Sequence, residues 1–196
     1  MFFGEPFGGL LQGARGAVLS TLLRTGTPLT GRQIHGMLRD EYSLWSVQEA
    51  LKMLARLGIV ETQMIGRSGV HTTNEGHAAV PHLRALLDPI AMLKAAIEEA
   101  VDSEVEAVVI FGSIARGEAT EHSDVDLAVI AAPGWDGRLR LEANVRARLG
   151  NGCDILVFSR PEFEELAREG EPVVQGILRD GIALVGTKPR VGVGAA

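Results

Sequence analysis

The chain has 196 residues, 46% of them hydrophobic, and a formal net charge of −6. This length allows one domain or two small ones, and the hydrophobic fraction excludes a disordered protein because it is sufficient for a packed core. A single cysteine excludes an internal disulfide, and no Cys/His group has zinc spacing, so we expect a cytoplasmic protein. We expect no membrane association, because no apolar run is long enough to span a bilayer and the first 23 residues lack a basic start.

The charge is unevenly distributed between the two parts of the chain. Residues 1–90 carry eight Lys and Arg against seven Asp and Glu, whereas the remainder carries eleven against eighteen. A slightly basic first part is compatible with contact to DNA, and an acidic second part is compatible with metal binding.

Three helices followed by a β-hairpin are predicted in the first 75 residues. Apolar residues at helical spacing and glycines at the helix ends place the helices, and Thr30 and Ser43 are suited to cap the second and third. The predicted segments are residues 10–23, 31–39, 44–57, 59–65 and 70–73. Residues 1–9 are rich in Phe and Gly, and we expect a loose arm or a dimer contact there.

This order of elements is that of a winged helix-turn-helix, and the stretches LTGRQIHGML and SVQEALKMLARLGIVE resemble bacterial winged-helix regulators over about residues 14–75. In that fold the third helix enters the major groove of duplex DNA and the wing contacts phosphates. The resemblance implies a set of outward-facing DNA-binding residues: Trp45, Ser46, Gln48, Lys52, Arg56 and Arg67. The alternative is a module for dimerisation or protein docking.

Residues 76–102 are predicted to be a helical linker. A long helix is expected from about Glu75, and Asp88-Pro89 is expected to break it before a second helix from Ile90 to about Val101. At the other end of the chain, residues 189–196 are predicted to be a flexible tail.

Residues 105–130, VEAVVIFGSIARGEATEHSDVDLAVI, contain the most informative pattern of the chain. A buried strand, a Gly-Ser turn with a short helix and a charged loop lead into a second strand. Asp124 and Asp126 are two residues apart on that second strand, so their side chains leave the same face. Because two adjacent carboxylates repel each other unless cations lie between them, the pair predicts a magnesium site.

The Gly-Ser turn, about ten residues and then Asp-x-Asp resemble the nucleotidyltransferases of the DNA polymerase β superfamily, and the wording ARGE and SDVDL resembles their minimal branch. The family requires a third carboxylate on a neighbouring strand, and the strand Cys153–Phe158 supplies Asp154. The resemblance implies transfer of a nucleoside monophosphate from an NTP, with ATP expected, and two Mg²⁺ ions held by Asp124, Asp126 and Asp154.

Four more residues have roles that the resemblance implies. Gly112 lets the backbone approach phosphate, and Ser113 offers a hydroxyl and backbone N–H groups to the triphosphate; the alternative is an ordinary strand-to-helix turn. Arg116 could neutralise the phosphates, and the alternative is a surface salt bridge with Glu118 or Glu121. Ser123 is expected to shape the loop before Asp124, and Cys153 to point into the core.

These predictions combine into an α/β (α+β) protein with a winged helix-turn-helix domain (1–75), the linker (76–102), a nucleotidyltransferase domain with a small mixed sheet (103–188) and the tail. We expect a homodimer that modifies a macromolecular acceptor. Minimal members of the resembled family often act as antitoxins that adenylylate a HEPN-type partner, so a HEPN-type toxin is one expected acceptor. The alternative function is a transcriptional regulator whose nucleotidyltransferase domain only senses nucleotide.

Overall fold

The computed structural model describes residues 1–189 and divides into two compact units. The first unit is Glu5–Pro89, and the second unit combines Met1–Gly4 with the chain from Ile90 onward. Each unit contains its own cluster of buried apolar side chains.

The first unit contains four helices and a three-stranded antiparallel sheet in the order β1-β3-β2. Its elements are a 3-10 turn (Pro6–Gly9), α1 (Gly13–Thr25), β1 (Leu29–Thr30), α2 (Gly31–Leu38), α3 (Leu44–Arg56), β2 (Val60–Ile65), β3 (Ser68–Thr73) and α4 (Val80–Ala85). The three predicted helices and the hairpin are present. The two-residue β1 was not predicted, because a strand so short leaves no periodic pattern.

The caps that position α2 and α3 are those predicted from the sequence. Thr30 accepts a hydrogen bond from the backbone N–H of Gln33, whose side chain accepts one in return from the Thr30 N–H. Ser43 accepts one from the N–H of Ser46 at the start of α3. The buried face of α3 packs into the core of the first unit through Val47, Ala50, Leu51 and Leu54.

The predicted loose arm at residues 1–9 is wrong. Phe7 is 1% exposed and lies in the core of the first unit, whereas Met1 and Phe3 pack against the core of the second. Aromatic and thioether side chains account for this, because their burial offsets the entropy cost of ordering the segment.

The structure also divides the predicted linker between the two units. The expected helix from Glu75 begins only at Val80, because the Asn74 side chain folds the chain into a turn by accepting from the Gly76 N–H and donating to the Gly58 carbonyl. Val80 is buried in the first core, and Leu93 and Ile97 of α5 (Pro89–Ala100) are buried in the second. Residues 76–102 are therefore parts of two cores.

The second unit contains a four-stranded mixed sheet in the order β6-β5-β4-β7, flanked by helices, as predicted. Its remaining elements are β4 (Val105–Phe111), α6 (Gly112–Ala115), β5 (Val125–Ala131), α7 (Arg138–Leu149), β6 (Cys153–Phe158), α8 (Arg160–Glu169), α9 (Pro172–Asp180) and β7 (Ile182–Val185). β5 and β6 are parallel, and the other pairs are antiparallel. Most of the predicted tail, residues 190–196, lies outside the described residues.

Both faces of this sheet are covered over most of their area. One face packs against α5 and α7 through side chains such as Leu93, Ile97 and Leu141, and the other packs against α8 and α9 through Phe163 and Val174. The central strand β5 is accordingly buried except at Asp126, which is half-buried. Among residues 1–189, no helix has both the length and the apolar composition needed to cross a membrane.

Candidate active site

Two parallel strands bring the three predicted carboxylates to one edge region of the second unit. Asp126 of β5 lies opposite Asp154 of β6 in the strand register, so both side chains leave the same face of the sheet. Asp124 precedes Asp126 by two residues, immediately before β5 begins. This face is the one on which Ala128 and Ile130 pack against α8 and α9 farther along the strand.

Two glycines leave the space that these carboxylates occupy. Gly112 has φ +70°, and a Cβ on it would lie 2.1 Å from Oδ2 of Asp126. A Cβ on Gly152 would lie 2.3 Å from Oδ1 of Asp124. A Cβ at either position would collide with a carboxylate, so the site favours glycine at both, and the positive φ of Gly112 favours glycine there independently. The role of Gly152 was not predicted, since the sequence indicates only an Asn-Gly turn there.

The three carboxylates give the site negative charge that Arg116 offsets only in part. Burial raises the pKa of the Asp126 carboxyl, Asp154 and Asp124 raise this pKa further, and Arg116 opposes the shift. Asp124 and Asp154 are exposed, which leaves the cluster open to solvent. A bound cation would relieve this repulsion, so the donor set suits Mg²⁺. Within residues 1–189, no group of three or more His, Cys, Asp and Glu side chains has the spacing of a formed metal site.

Arg116 forms the salt bridge that was one of its two predicted roles. Its Nε lies 2.8 Å from Oε2 of Glu118, and both side chains are exposed. Its charge still acts on Asp126, whose pKa it lowers. Because exposed ion pairs contribute little stability, Arg116 can exchange this partner at small cost.

Ser123 forms hydrogen bonds within the loop before Asp124. Its hydroxyl accepts from the Thr120 N–H at 2.9 Å, and its own N–H donates to the Thr120 carbonyl at 3.2 Å. Asn151, which sequence reasoning missed, is buried behind this loop, and its Nδ2 donates to the carbonyls of Ser123 and Met1. The Asn-Gly pair indicates only a turn, so the sequence does not show that Asn151 also holds this loop.

Cys153 lies between Gly152 and Asp154 and is half-buried against the core, as predicted. Burial, followed by Glu142 and the three aspartates, raises the pKa of its thiol to about 12. The thiol is therefore protonated at neutral pH and is not a nucleophile.

In the first unit, five of the six predicted DNA-binding residues line two cavities. Gln48, Lys52 and Arg67 line a cavity of about 650 Å³ between α3 and the β2–β3 hairpin, together with Arg32 and His71, which were not predicted. Trp45 and Ser46 line a second cavity of about 530 Å³ beside the start of α1. Arg56 is exposed and contacts the Met53 sulfur.

Comparison with protein-family models finds one match in the second unit. Residues 94–187 match the model described as Polymerase beta, Nucleotidyltransferase. This nucleotidyltransferase-type region contains the Gly112-Ser113 turn and all three aspartates. No curated protein matches the chain.

Several solved structures are similar to parts of the chain, all with TM-scores below 0.5. A toxin–antitoxin structure with AMP-PNP has a TM-score of 0.38 and 22% identity, and the match covers 50% of this chain and 74% of that one. A tri-AMPylated Shewanella oneidensis HEPN toxin in complex with MNT antitoxin has a TM-score of 0.35, 21% identity, and coverage of 50% and 73%. A structure of DNA recognition and protein interaction domains of HOP2 has a TM-score of 0.31, 25% identity, and coverage of 32% and 100%.

Proposed function

We propose that residues 94–187 transfer a nucleoside monophosphate from an NTP, with ATP the first choice, to a macromolecular acceptor. The observation that carries this proposal is the strand register, which sets Asp126 opposite Asp154 and beside the Gly112 turn, in a region that matches a nucleotidyltransferase family. The raised pKa of Asp126 supports it, because burial and the neighbouring carboxylates disfavour the ionised carboxylate, and a bound cation would relieve the repulsion.

Each predicted site residue then has a distinct task. Asp124, Asp126 and Asp154 would hold Mg²⁺, which when bound stabilises charge on the attacking and leaving oxygens. Gly112 admits the phosphates close to the backbone, and the Ser113 hydroxyl and N–H groups bind them. Arg116 leaves Glu118 for the triphosphate, since guanidinium geometry matches phosphate. Ser123 keeps the loop before Asp124 in place.

Calorimetry with MgATP tests this proposal. We expect the wild-type chain to bind MgATP and Asp126→Asn to lose most of that affinity, because the substitution removes the carboxylate that lies next to both Asp124 and Asp154. Asp136→Asn, on an exposed aspartate outside the cluster, is the matched control and is expected to bind like the wild type. Equal affinity of the Asp126 variant and the wild type would remove the carboxylates from the nucleotide site.

The acceptor we propose first is a protein, and the resemblance to minimal nucleotidyltransferases suggests a HEPN-type toxin. The assay combines α-labelled ATP, the purified chain and a purified HEPN-type protein. Label on that protein that requires Asp124 supports the proposal, whereas rapid labelling of a small molecule contradicts it. Label transfer with each other NTP establishes the nucleotide preference.

A second function is favoured by the cavity between α3 and the hairpin: a winged-helix regulator that binds duplex DNA in the cytoplasm as a homodimer. Three cationic side chains, Arg32, Lys52 and Arg67, line this cavity together, and phosphate neutralisation requires such a cluster. If the second unit only senses nucleotide, ATP will change DNA affinity without release of pyrophosphate. Pyrophosphate release with turnover favours the transferase instead.

A further inference from the structure

A cavity of about 300 Å³ lies between α7 and the start of β6, on the face of the sheet opposite the carboxylates. Leu139, Glu142, Ala143 and Arg146 of α7 line it with Gly152 and Cys153. Gly152 adjoins both places, because a Cβ on it would lie 2.3 Å from Oδ1 of Asp124 while its backbone lines the cavity. The cavity and the carboxylates therefore lie on opposite faces of the sheet at the same end of β6.

Arg146 is the one arginine of α7 without an ion pair among residues 1–189. Nε of Arg138 lies 2.8 Å from Glu142, Arg140 lies 2.6 Å from Asp102, and Arg148 pairs with Glu99. Arg146 is exposed at the cavity, in a part of the chain where acidic residues outnumber basic ones. A guanidinium in this position is available to an acidic group of another molecule.

The strand next to this cavity is an edge of the sheet. Among the described strands, β6 pairs with β5 alone, so one side of its backbone has no strand partner. Its side chains beside the carboxylates are uncovered: Asp154 is exposed and Leu156 is 39% exposed. An edge with free N–H and C=O groups can be extended by a polypeptide in β conformation, and successive side chains of that polypeptide then point to opposite faces of the sheet. One side chain can therefore reach Arg146 while its neighbour reaches Asp154.

We propose that the β6 edge and this cavity bind an extended polypeptide segment of the acceptor, with an acidic side chain on Arg146 and a hydroxyl side chain at Asp154. The proposal rests on the proposed transferase function. The Gly112 turn and Arg116 follow β4, and β4 and β6 flank β5 on opposite sides. The triphosphate and the acceptor thus approach Asp126 from opposite sides, which an in-line displacement requires.

The chemical step balances without a further reactant. The acceptor hydroxyl oxygen bonds to the α-phosphorus of the NTP, and the bond from that phosphorus to the bridging oxygen breaks. The bond pair leaves on pyrophosphate, and the hydroxyl proton is released to solvent water. The product is a phosphodiester on the polypeptide.

The test is a panel of synthetic peptides with a central Tyr, Ser or Thr and either Glu or Lys at one flanking position, incubated with the full chain, Mg²⁺ and α-labelled ATP. We expect the wild type to label Glu-containing peptides preferentially. Arg146→Glu should raise their apparent KM by about two- to fivefold, the size expected for loss of an exposed ion pair, and shift the preference to Lys-containing peptides. Arg168→Glu, an exposed arginine of α8 outside the cavity, is the control and should leave the preference unchanged.

MgATP affinity separates this proposal from the transferase proposal on which it rests. Arg146→Glu should bind MgATP like the wild type. Weakened MgATP binding by this variant would assign the cavity to the nucleotide and overturn the peptide site. The peptide site is also overturned if the preference for Glu-containing peptides does not depend on Arg146. It is overturned as well if no peptide is labelled while MgATP binding persists. If both Asp126→Asn and Arg146→Glu keep the MgATP affinity of the wild type, that result contradicts the transferase proposal instead.

Discussion

Asp126 is held in an environment that disfavours its charge. The strand register places Asp154 next to it, and Gly112 brings backbone to within contact of its carboxylate. Residues arranged for binding often destabilise the fold in this way, because their mutual repulsion is relieved only by the ligand. The same carboxylate should therefore weaken the free protein and strengthen its complex.

Asp126→Asn should raise the melting temperature of the ligand-free protein at pH 7. Because the pKa of Asp126 is raised in the folded state, the ionised carboxylate destabilises the fold above its ordinary pKa of about 3.9. The advantage of the variant should shrink as the pH falls through the raised folded-state pKa and vanish below about 3.9, where Asp126 is protonated in both states. Calorimetric scans across pH measure the difference in melting temperature between variant and wild type, with Asp136→Asn as control. An equal gain in melting temperature at all pH values would contradict the prediction.

Gly112→Ala and Gly117→Ala form a matched pair. Both glycines have positive φ, +70° and +71°, so each substitution should cost about 1–2 kcal/mol of unfolding free energy through backbone strain. A Cβ on Gly117 meets no atom within 4 Å, whereas one on Gly112 collides with the Asp126 carboxylate. We expect only Gly112→Ala to displace that carboxylate and lose MgATP affinity. Urea unfolding and calorimetry compare the two, and unchanged affinity in Gly112→Ala would contradict the role of this contact.

The cationic cavity of the first unit has α3 on one side and the β2–β3 hairpin on the other. Lys52→Gln and Arg67→Gln should each lower the slope of log affinity for duplex DNA against log salt concentration by about one unit, the loss expected for one phosphate contact. Arg24→Gln, on an exposed arginine of α1 outside the cavity, should leave the slope unchanged. Fluorescence anisotropy at several salt concentrations measures it. Equal slopes for all three variants would favour the docking alternative.

The sequence predicted elements well where local chemistry determines them. The caps at Thr30 and Ser43 and the continuous apolar runs of β4 and β5 are local signals, and they locate these elements to within a residue or two. The placement of Asp154 beside Asp126 depended on family resemblance, because strand pairing is a long-range contact.

Long-range packing explains what could not be predicted. The Asn74 side chain ends the hairpin by donating to the carbonyl of Gly58, which is distant in sequence. The expected helix therefore begins only at Val80. Asn151 and Gly152 gave only a turn signal, although one is buried behind Ser123 and the other against Asp124. The cavity at Arg146 required knowledge of which arginines of α7 are paired.

For the whole molecule, separate cores predict separate folding. A fragment of residues 5–89 should show a cooperative thermal transition, because it retains the entire apolar cluster of the first unit. A shorter fragment ending at Thr73 loses the fully buried Val80 and should be less stable by at least about 1.5 kcal/mol. Circular dichroism and chemical denaturation of both fragments measure this. A fragment 5–89 without a cooperative transition would contradict it.

The second unit is built from two separate stretches of sequence, since Met1–Gly4 packs with the chain from Ile90 onward. The Met1 amine donates to the Leu149 carbonyl and to Oδ1 of Asn151, each at 2.8 Å, and Asn151 in turn holds the loop before Asp124. A purification tag fused to Met1 converts this amine into an amide and forces extra chain past the contact. Assays of the carboxylate site should therefore use protein from which any N-terminal tag has been removed.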